Sequence, residues 1–486
     1  MLIMNSIENL SMLMDFYELT MVNGLFKNDM QDKIVYFDMF FRKVPDNGGY
    51  VIFAGLEQLI DYIKNLSFSE EDLEYLKSKG VCDEKFIDAL RNFKFKCDIW
   101  SVPEGTVVFP QEPLITVRGP VFQAQLIETM LLLIINHQSL IATKANRIVR
   151  AAHGREVMEF GARRAQGASS SIYGARAAYI GGCSSTSNAI CDLKFNIKAV
   201  GTMAHSWVQL FDTELDAFKA YARAYPDKCM LLVDTYDTLK SGLPNAIKTF
   251  NEEVLTRGCR PIGIRIDSGD ISYLSIKARE MLDEAGFEDS KICVSNSLDE
   301  HIIKNLLEEG AKIDSFGVGE KLITSASDPT FGGVYKLCAV ERDDGSIEPK
   351  IKISNNVSKV TIPGVKSVWR LYDRSTNKSI ADLITLREEV INDNEPYMIF
   401  DPDHPWKKKI VENFRAVDIR KQIFKNGQCI YDKLNIDNIR EYAKDQVNTL
   451  WEEVTRFKNP HTYYVDLSEK LWTSKNKIIS DIRSIM

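Results

Sequence analysis

Short apolar runs recur through the middle of the chain, and an amphipathic, helix-like stretch follows nearly every one. The runs are Val157-Met158-Glu159-Phe160, Ala199-Val200, Met230-Leu231-Leu232-Val233, Ile262-Gly263-Ile264-Arg265-Ile266, Ile292-Cys293-Val294 and Ser315-Phe316. Runs that are continuously apolar and β-branched belong to strands covered on both faces, as in a parallel sheet with helices outside. Their spacing of about 30 residues matches βα units.

The flanking pattern differs. Residues 12–24 read as a helix, and residues 35–41 alternate like a strand that leads into the Pro45-Asp46-Asn47-Gly48-Gly49 turn. Helical patterns follow at 52–63, 70–79 and 84–93, and then a strand pair at 106–109 and 114–117, split by Pro110 and Pro113. Beyond the barrel-like centre, a polar turn at 341–346 separates expected strands at 334–340 and 350–353. Short strands continue to about residue 410, and helices at 436–457 and 468–486 close the chain. The pattern predicts an α/β protein: an irregular (β/α) barrel with a second α+β domain built from the N-terminal segment and the C-terminal region. The expected divisions are 1–131 (α+β), 132–340 (barrel) and 341–486 (α+β, packing on the N-terminal domain).

Polar chemistry collects just past the end of each central run. In order these clusters are Gly161-Ala162-Arg163-Arg164, His205, Asp234-Thr235-Tyr236-Asp237, Asp267-Ser268-Gly269-Asp270, Ser295-Asn296-Ser297 and Gly317-Val318-Gly319. One such cluster is an ordinary helix cap. Six in succession are the pattern of a barrel whose active site lies at the strand C-termini. Arg163, Arg164 and Arg176 fall in a stretch, 160–191, that carries no acid and suits anions. Gly317, Gly319, Gly332 and Gly333 favour phosphate, and Asp234, Asp237, Asp267 and Asp270 suit ribose hydroxyls or a Mg²⁺ shell.

Composition narrows the class. The 486 residues are 44% hydrophobic and 27% charged, which is ordinary for a globular enzyme with a large core. A net charge of −7 without a long basic run argues against a nucleic-acid partner. No apolar run reaches the roughly 18 residues needed to span a bilayer, so no membrane partner is expected. Residues 1–10 lack the layout of a signal peptide. The nine cysteines are scattered without a CxxC pair, which fits a cytoplasmic location and suggests neither a zinc site nor a redox motif, so no metal-ligating residue is named.

The stretch Gly201-Thr202-Met203-Ala204-His205-Ser206-Trp207 stands out because a histidine sits in a tight loop between an apolar rise and an amphipathic helix. An imidazole there can move a proton near neutral pH or attack a phosphoryl group. On its own it reads equally as a packed loop histidine held by a carbonyl.

Taken together, several motifs are specific. They are Asp15-Phe16-Tyr17-Glu18-Leu19-Thr20-Met21, Glu159-Phe160-Gly161-Ala162-Arg163-Arg164, Gly201-Thr202-Met203-Ala204-His205-Ser206, Ile266-Asp267-Ser268-Gly269-Asp270 and Gly317-Val318-Gly319. In order and spacing this set resembles the nicotinate phosphoribosyltransferases, from residue 15 to about 337. One departure is Met14, where a threonine often precedes the aspartate. The resemblance implies a ligase-type, ATP-dependent enzyme of NAD salvage. Such an enzyme makes nicotinate mononucleotide and pyrophosphate from nicotinate and 5-phosphoribosyl 1-pyrophosphate, with ATP as co-substrate and Mg²⁺ as cofactor. It further implies that His205 is the phosphorylated histidine and acts catalytically with Arg265 and Asp267. Tyr17, Thr202 and Arg265 would surround the nicotinate, and Phe160 would stack on its ring. Arg163, Gly317, Gly319 and Thr324 would hold phosphate groups, Asp267 the ribose, and Ser295 would join the substrate-binding set. The family forms a homodimer with shared sites, to which the partner subunit lends its N-terminal tyrosine.

Three other readings are weighed against this one. A nicotinamide phosphoribosyltransferase would share most of the motifs. An aldolase-like barrel wants a lysine at a strand end, where this chain has Asp, Ser, Arg and Gly. A non-catalytic phosphate-binding barrel would be expected to show gaps in the polar set, and none is seen.

Overall fold

The computed structural model describes residues 9–356 and 359–485. Most of residues 1–10, where no signal-peptide layout was expected, and residue 486, the expected end of the closing helix, therefore lie outside the described residues. The chain divides into two compact units, Met1–Leu140 with Thr330–Met486, and Ile141–Pro329.

In the first unit, strand Ile34–Phe41 pairs antiparallel with Gly333–Glu341 on one side and Ile115–Pro120 on the other. Asp98–Ser101 and Lys421–Lys425 extend this sheet. The Ile34–Phe41 strand is buried along all but its first residue, so it has two covered faces instead of the one implied by its alternation. Its one charge, Asp38, is held inside by Lys366 at 2.8 Å and by the Thr116 hydroxyl at 2.6 Å. Helices Leu56–Lys64, Glu70–Ser78 and Glu84–Arg91 follow the expected periodicity. The second begins with a capping box between Ser69 and Asp72, and the third with the Asp83 side chain accepting from the Phe86 N–H. The first helix is Phe16–Lys27, later than expected, and it runs through Gly24.

The C-terminal part of this unit adds a four-stranded sheet built from Phe414–Asp418, Lys366–Asp373, Ser379–Leu386 and Val465–Leu467. At its centre Arg370 and Asp382 are both fully buried and paired, with Nη2 to Oδ2 at 2.6 Å and Nε to Oδ1 at 2.8 Å. The Tyr463 hydroxyl donates to the same carboxylate at 2.9 Å, and Arg370 also donates to the Val107 carbonyl and to Gln446. The expected strand at 350–353 lies slightly earlier, at Ile347–Pro349, and the helix expected to reach 457 stops at Asn448.

The second unit holds six strands: β1 (Glu156–Glu159), β2 (Ser185–Thr186), β3 (Met230–Leu232), β4 (Gly263–Ile266), β5 (Lys291–Ser295) and β6 (Ser315–Val318). Their order in the sheet is β2-β1-β6-β5-β4-β3, and every ladder is parallel. Read as a ring, this is the order of the chain itself. That is the connectivity of a (β/α) barrel without a ladder between β2 and β3. The strand expected at Ala199-Val200 is only a single bridge, Thr186 to Ala199, and the short β2 takes its place. Ile264, Ile266, Ile292, Val294, Phe316 and Val318 are all buried, which accounts for the uninterrupted apolar runs of β4, β5 and β6. Helices Ala168–Ile180, Glu214–Ala224, Ile271–Glu284 and Glu300–Glu308 alternate with the strands.

Candidate active site

The polar clusters sit at the C-terminal ends of these strands. From β4, Arg265 and Asp267 lie two residues apart along an extended chain and so point the same way. Nη2 of Arg265 donates to Oδ1 of Asp267 at 2.8 Å, and Nε donates to Oγ of Ser295, at the end of β5, at 2.8 Å. The Ser295 hydroxyl in turn donates to Asp267 through a short bond. Burial pushes the Asp267 carboxyl up, but the Ser295 and Arg265 hydrogen bonds, with the Arg265 and His205 charges, hold it below the ordinary aspartate value.

His205 opens the short helix His205–Gln209. Its Nδ1 lies 3.2 Å from the Thr235 hydroxyl, and its Nε2 lies 3.9 Å from Oδ2 of Asp267. Thr202 reaches the same group, with Nη1 of Arg265 at 3.5 Å from its hydroxyl. One connected set therefore joins Thr202, His205, Thr235, Arg265, Asp267 and Ser295.

Phe160 follows β1, with its N–H bonded to the Val318 carbonyl at 2.8 Å. The Arg265 guanidinium stands 5.8 Å from the centre of its ring. Gly317 is required by this ring, because a Cβ there would lie 2.4 Å from it. A Cβ on Gly319 would lie 3.1 Å from the Phe160 carbonyl. The two glycines thus let β6 approach the Phe160 turn closely.

The remaining expected residues stand differently. Arg163 is exposed on the turn after Phe160. The Thr324 hydroxyl donates to the Glu320 carbonyl at 2.8 Å within its own short helix. Tyr17 belongs to the first unit, half exposed on helix Phe16–Lys27. Partial burial and the nearby Glu128 and Glu18 carboxylates raise its phenol above the usual range. Its neighbour Glu18 is buried and pushed up by that burial to about 7, even though Thr129 donates to it twice.

Of the four aspartates expected to face ligand, two are helix caps. Asp270 accepts from the Tyr273 N–H, and Asp237 accepts from the Leu239 and Lys240 N–H groups. Asp234 does something else: its Oδ2 takes the Asp267 N–H at 3.1 Å and the Ser268 hydroxyl at 2.5 Å, fixing the turn after β4. Its Oδ1 is buried without a hydrogen-bond partner. Gly333 serves the first unit, where a Cβ would overlap the Asn136 side chain. Sequence reasoning missed Thr235 beside Asp234, and it gave Glu159 no role although the residue stands inside a quoted motif.

A family model described as the nicotinate phosphoribosyltransferase N-terminal domain matches residues 12–136, and the matching C-terminal domain covers 365–475. The model of the nicotinate phosphoribosyltransferase family itself matches residues 155–379, which takes in the whole cluster described above. Nicotinate phosphoribosyltransferase of Bacillus subtilis (strain 168) is 45% identical over 480 residues, covering 98% of this chain and 96% of that relative. The chain belongs to the nicotinate phosphoribosyltransferase family. Among solved structures, human nicotinic acid phosphoribosyltransferase aligns with a TM-score of 0.86 at 27% identity, covering 96% of this chain and 99% of that one. The fold also extends to nicotinate-nucleotide pyrophosphorylase from Pyrococcus furiosus, with a TM-score of 0.65 at 22% identity over 91% and 96% of the two chains. The α/β architecture read from the apolar runs is thus the nicotinate phosphoribosyltransferase architecture.

Proposed function

We propose that this chain joins nicotinate to 5-phosphoribosyl 1-pyrophosphate, giving nicotinate mononucleotide and pyrophosphate for NAD salvage. The observation that carries the reading is the set at the ends of β4 and β5. An arginine there is close to an aromatic face and is hydrogen-bonded to an aspartate with a depressed pKa, and a histidine stands near that aspartate. Phe160 offers a ring on which a pyridine can stack, Arg265 a cation for a carboxylate, and Asp267 a carboxylate for ribose hydroxyls. Displacing pyrophosphate from C1 of the ribose develops an oxocarbenium-like cation and a highly charged leaving group. The protein's part is to align the two reactants and stabilise that charge. Arg163, Gly317, Gly319 and Thr324 are assigned to phosphate groups, and Thr202 and Ser295 to the substrate edge.

The enzyme class is read as ligase-type, with ATP phosphorylating His205 and the phosphohistidine coupling hydrolysis to turnover. A neutral imidazole can accept a phosphoryl group, and the new charge beside Asp267 would bias the site between states of different substrate affinity. Mg²⁺ is the proposed cofactor. Among the described residues no three His, Cys, Asp or Glu side chains form a metal cage. That suits Mg²⁺, which takes one or two carboxylates and completes its shell with water and substrate oxygens. Asp234, with its buried unpartnered Oδ1, and Asp267 are the oxygen donors that fit it. When bound, the ion would offset charge on the pyrophosphate.

A homodimer with shared sites is part of the same reading, each site receiving the partner's Tyr17. It is supported by the exposed apolar surface of Leu13, Phe16, Tyr17 and Met21 around the first helix. Among the described residues no helix is long and apolar enough to cross a membrane, and a cytoplasmic location is proposed. The test is direct. Purified protein with nicotinate, phosphoribosyl pyrophosphate and Mg²⁺, with and without ATP, should yield nicotinate mononucleotide and pyrophosphate in equal amounts. Absence of both products under all conditions would overturn the proposal.

A further inference from the structure

The loop that carries Phe160 and Arg163 and the loop that carries Thr202 and His205 are far apart in sequence, yet both are rooted on one buried pair. Glu159, the last residue of β1, is 0% exposed. Its Oε1 accepts the Gly161 N–H through a short bond, and its Oε2 accepts the Thr186 hydroxyl at 2.6 Å. Its own carbonyl takes the Ser187 N–H at 2.8 Å. The carboxylate thereby grips the first residue after Phe160 from below. Gly161 has to be glycine for this, because a Cβ there would lie 2.8 Å from that same Oε1 and 2.6 Å from Ile323.

Thr186 holds the other loop. Its N–H donates to the Lys198 carbonyl at 3.1 Å, and its carbonyl accepts the Val200 N–H at 2.8 Å, just before Gly201. Its hydroxyl donates to Glu159 and accepts the Asn188 N–H at 3.1 Å, and Asn188 in turn donates to the Ser171 hydroxyl at 3.0 Å. Both donors of this threonine, its N–H and its hydroxyl, are committed, and neither is left for a substrate. Burial raises the Glu159 carboxyl above its usual range, and the two hydrogen bonds pull it back. A carboxylate this buried is costly unless its hydrogen bonds are made, so the pair favours one arrangement of its neighbours over looser ones.

We propose that Glu159 is a positioning residue that locks the Phe160 loop to the His205 loop through the Thr186 hydroxyl. The two loops then move as one body, and a change at the histidine is felt at the face that receives the pyridine ring. The inference rests on the roles given above to Phe160 and His205.

The test uses the full-length chain in four variants, Glu159→Gln, Glu159→Ala, Thr186→Val and Thr186→Ser. Each is read by the nicotinate KM, by kcat, and by amide hydrogen exchange of peptides covering 160–166 and 198–206. Glutamine keeps an acceptor for Gly161, and its NH₂ group can donate to Oγ1 of Thr186, so Glu159→Gln should stay within about threefold of wild type. Glu159→Ala and Thr186→Val should raise the nicotinate KM by about tenfold to a hundredfold, with a smaller change in kcat. Both should speed exchange in the two peptides together. Thr186→Ser keeps the hydroxyl and should behave like wild type. Should Glu159→Ala fail to fold, the near-isosteric comparison of Thr186→Val with Thr186→Ser carries the test. Equal behaviour of Thr186→Val and Thr186→Ser, or faster exchange in one loop without the other, would overturn the inference. Faster exchange in both loops with an unchanged nicotinate KM would support the mechanical link and overturn the assignment of Phe160 to the pyridine.

Discussion

Nη2 of Arg265 and Oδ1 of Asp267 are 2.8 Å apart at the end of one strand, so the cation assigned to nicotinate and the anion assigned to ribose neutralise each other. Each holds the other in place. Asp267 keeps a depressed pKa partly because of Arg265 and remains an acceptor well into the acid range. Arg265 is less than a fifth exposed, and its fork is divided between Asp267, Ser295 and Thr202. A substrate carboxylate has to join or displace these acceptors.

Replacing Arg265 should therefore damage nicotinate use while leaving the fold intact. Removing one partner of such a charge pair costs about 2–5 kcal/mol, and we expect Arg265→Ala to lose that much in kcat/KM for nicotinate. A second effect follows from the pKa. Asp267 without its arginine rises towards the ordinary aspartate value, so the acid limb of the pH–kcat/KM profile should move to higher pH. The sign for stability is the same. A carboxyl with a depressed folded pKa stabilises the fold above its unfolded pKa and loses that contribution as pH falls through the folded one. Arg265→Ala should accordingly be less stable than wild type near neutral pH, and the difference should narrow as pH falls through the folded pKa of Asp267. Unchanged kinetic constants would remove Arg265 from the site.

His205→Asn should abolish ATP hydrolysis and ATP stimulation while slow, ATP-independent synthesis continues. The imidazole is the nucleophile assigned to ATP, and no part in the glycosyl displacement is assigned to it. Label transferred from γ-labelled ATP should survive alkali and be lost in acid, as expected of a phosphohistidine. Hydrolysis of ATP by His205→Asn in step with product would defeat the assignment.

Hybrid dimers test the shared site. Tyr17→Ala subunits and His205→Ala subunits should each lack ATP-stimulated synthesis alone, and mixing them should restore it at sites that combine an intact Tyr17 with an intact His205. Recovery of about a quarter of wild-type activity is the expectation for random reassortment, and about a half for isolated hybrids with one sound site each, a rough estimate from two-fold symmetry. Verified hybrids without recovery would mean that each subunit builds its own site.

Stability should hinge on a pair in the first unit, outside the unit that holds Arg265, Asp267 and His205. Arg370 and Asp382 are both fully buried, and Asp382→Ala would leave the guanidinium buried with the loss of its main acceptor. Breaking such a pair costs about 3–5 kcal/mol. Denaturant titration should show that loss, and the folded fraction should keep its kcat. A change below about 0.5 kcal/mol would mean that the site accommodates the loss without strain.

The sequence made some of this arrangement readable and hid the rest for identifiable reasons. Strands β4, β5 and β6 were visible because both faces are covered, so Ile264, Ile292 and Phe316 sit in unbroken apolar runs. Strand β2 was not, because Ser185 and Thr186 are polar, and Thr186 is buried only by virtue of hydrogen bonds to Glu159 and to the neighbouring backbone. The antiparallel pairing of Ile34–Phe41 with Gly333–Glu341 joins opposite parts of the chain, and no local period reports that. The strand-end positions of Arg265, Asp267 and Ser295 follow from the periodicity. Which aspartates would be caps does not, since Asp270 and Asp234 occupy similar sequence settings and differ only in which N–H groups the folded chain brings to them.

The last prediction concerns the choice between nicotinate and nicotinamide, which differ only as carboxylate and amide. An amide-selective pocket needs an acceptor for the NH₂ group, and an acid is the most effective one because it also repels a carboxylate. No acid occurs between Phe160 and Cys191. The acid just before this stretch, Glu159, spends its oxygens on Gly161 and Thr186. Asp234 is turned to Asp267 and Ser268 through one oxygen, and Asp237 caps the turn after it. The hydroxyls of this stretch are partly spent too, with Ser184 donating to the Val157 carbonyl and Thr186 to Glu159. Discrimination then falls mainly on Arg265, whose guanidinium lies beside the Phe160 ring. An arginine–carboxylate pair adds an ion pair and a bidentate geometry that a neutral amide, with its single carbonyl oxygen, does not offer. The amide would also leave that cation undercompensated in a partly buried place. Mismatched buried polar groups elsewhere cost about two to four orders of magnitude in selectivity, and we expect nicotinate to be preferred by that margin. Both pyridines at equal concentration, with limiting phosphoribosyl pyrophosphate, decide the matter by product analysis. Comparable amounts of the two mononucleotides would sink the assignment. A preference that collapses in Arg265→Gln while Phe160 is left untouched would assign the discrimination to the arginine.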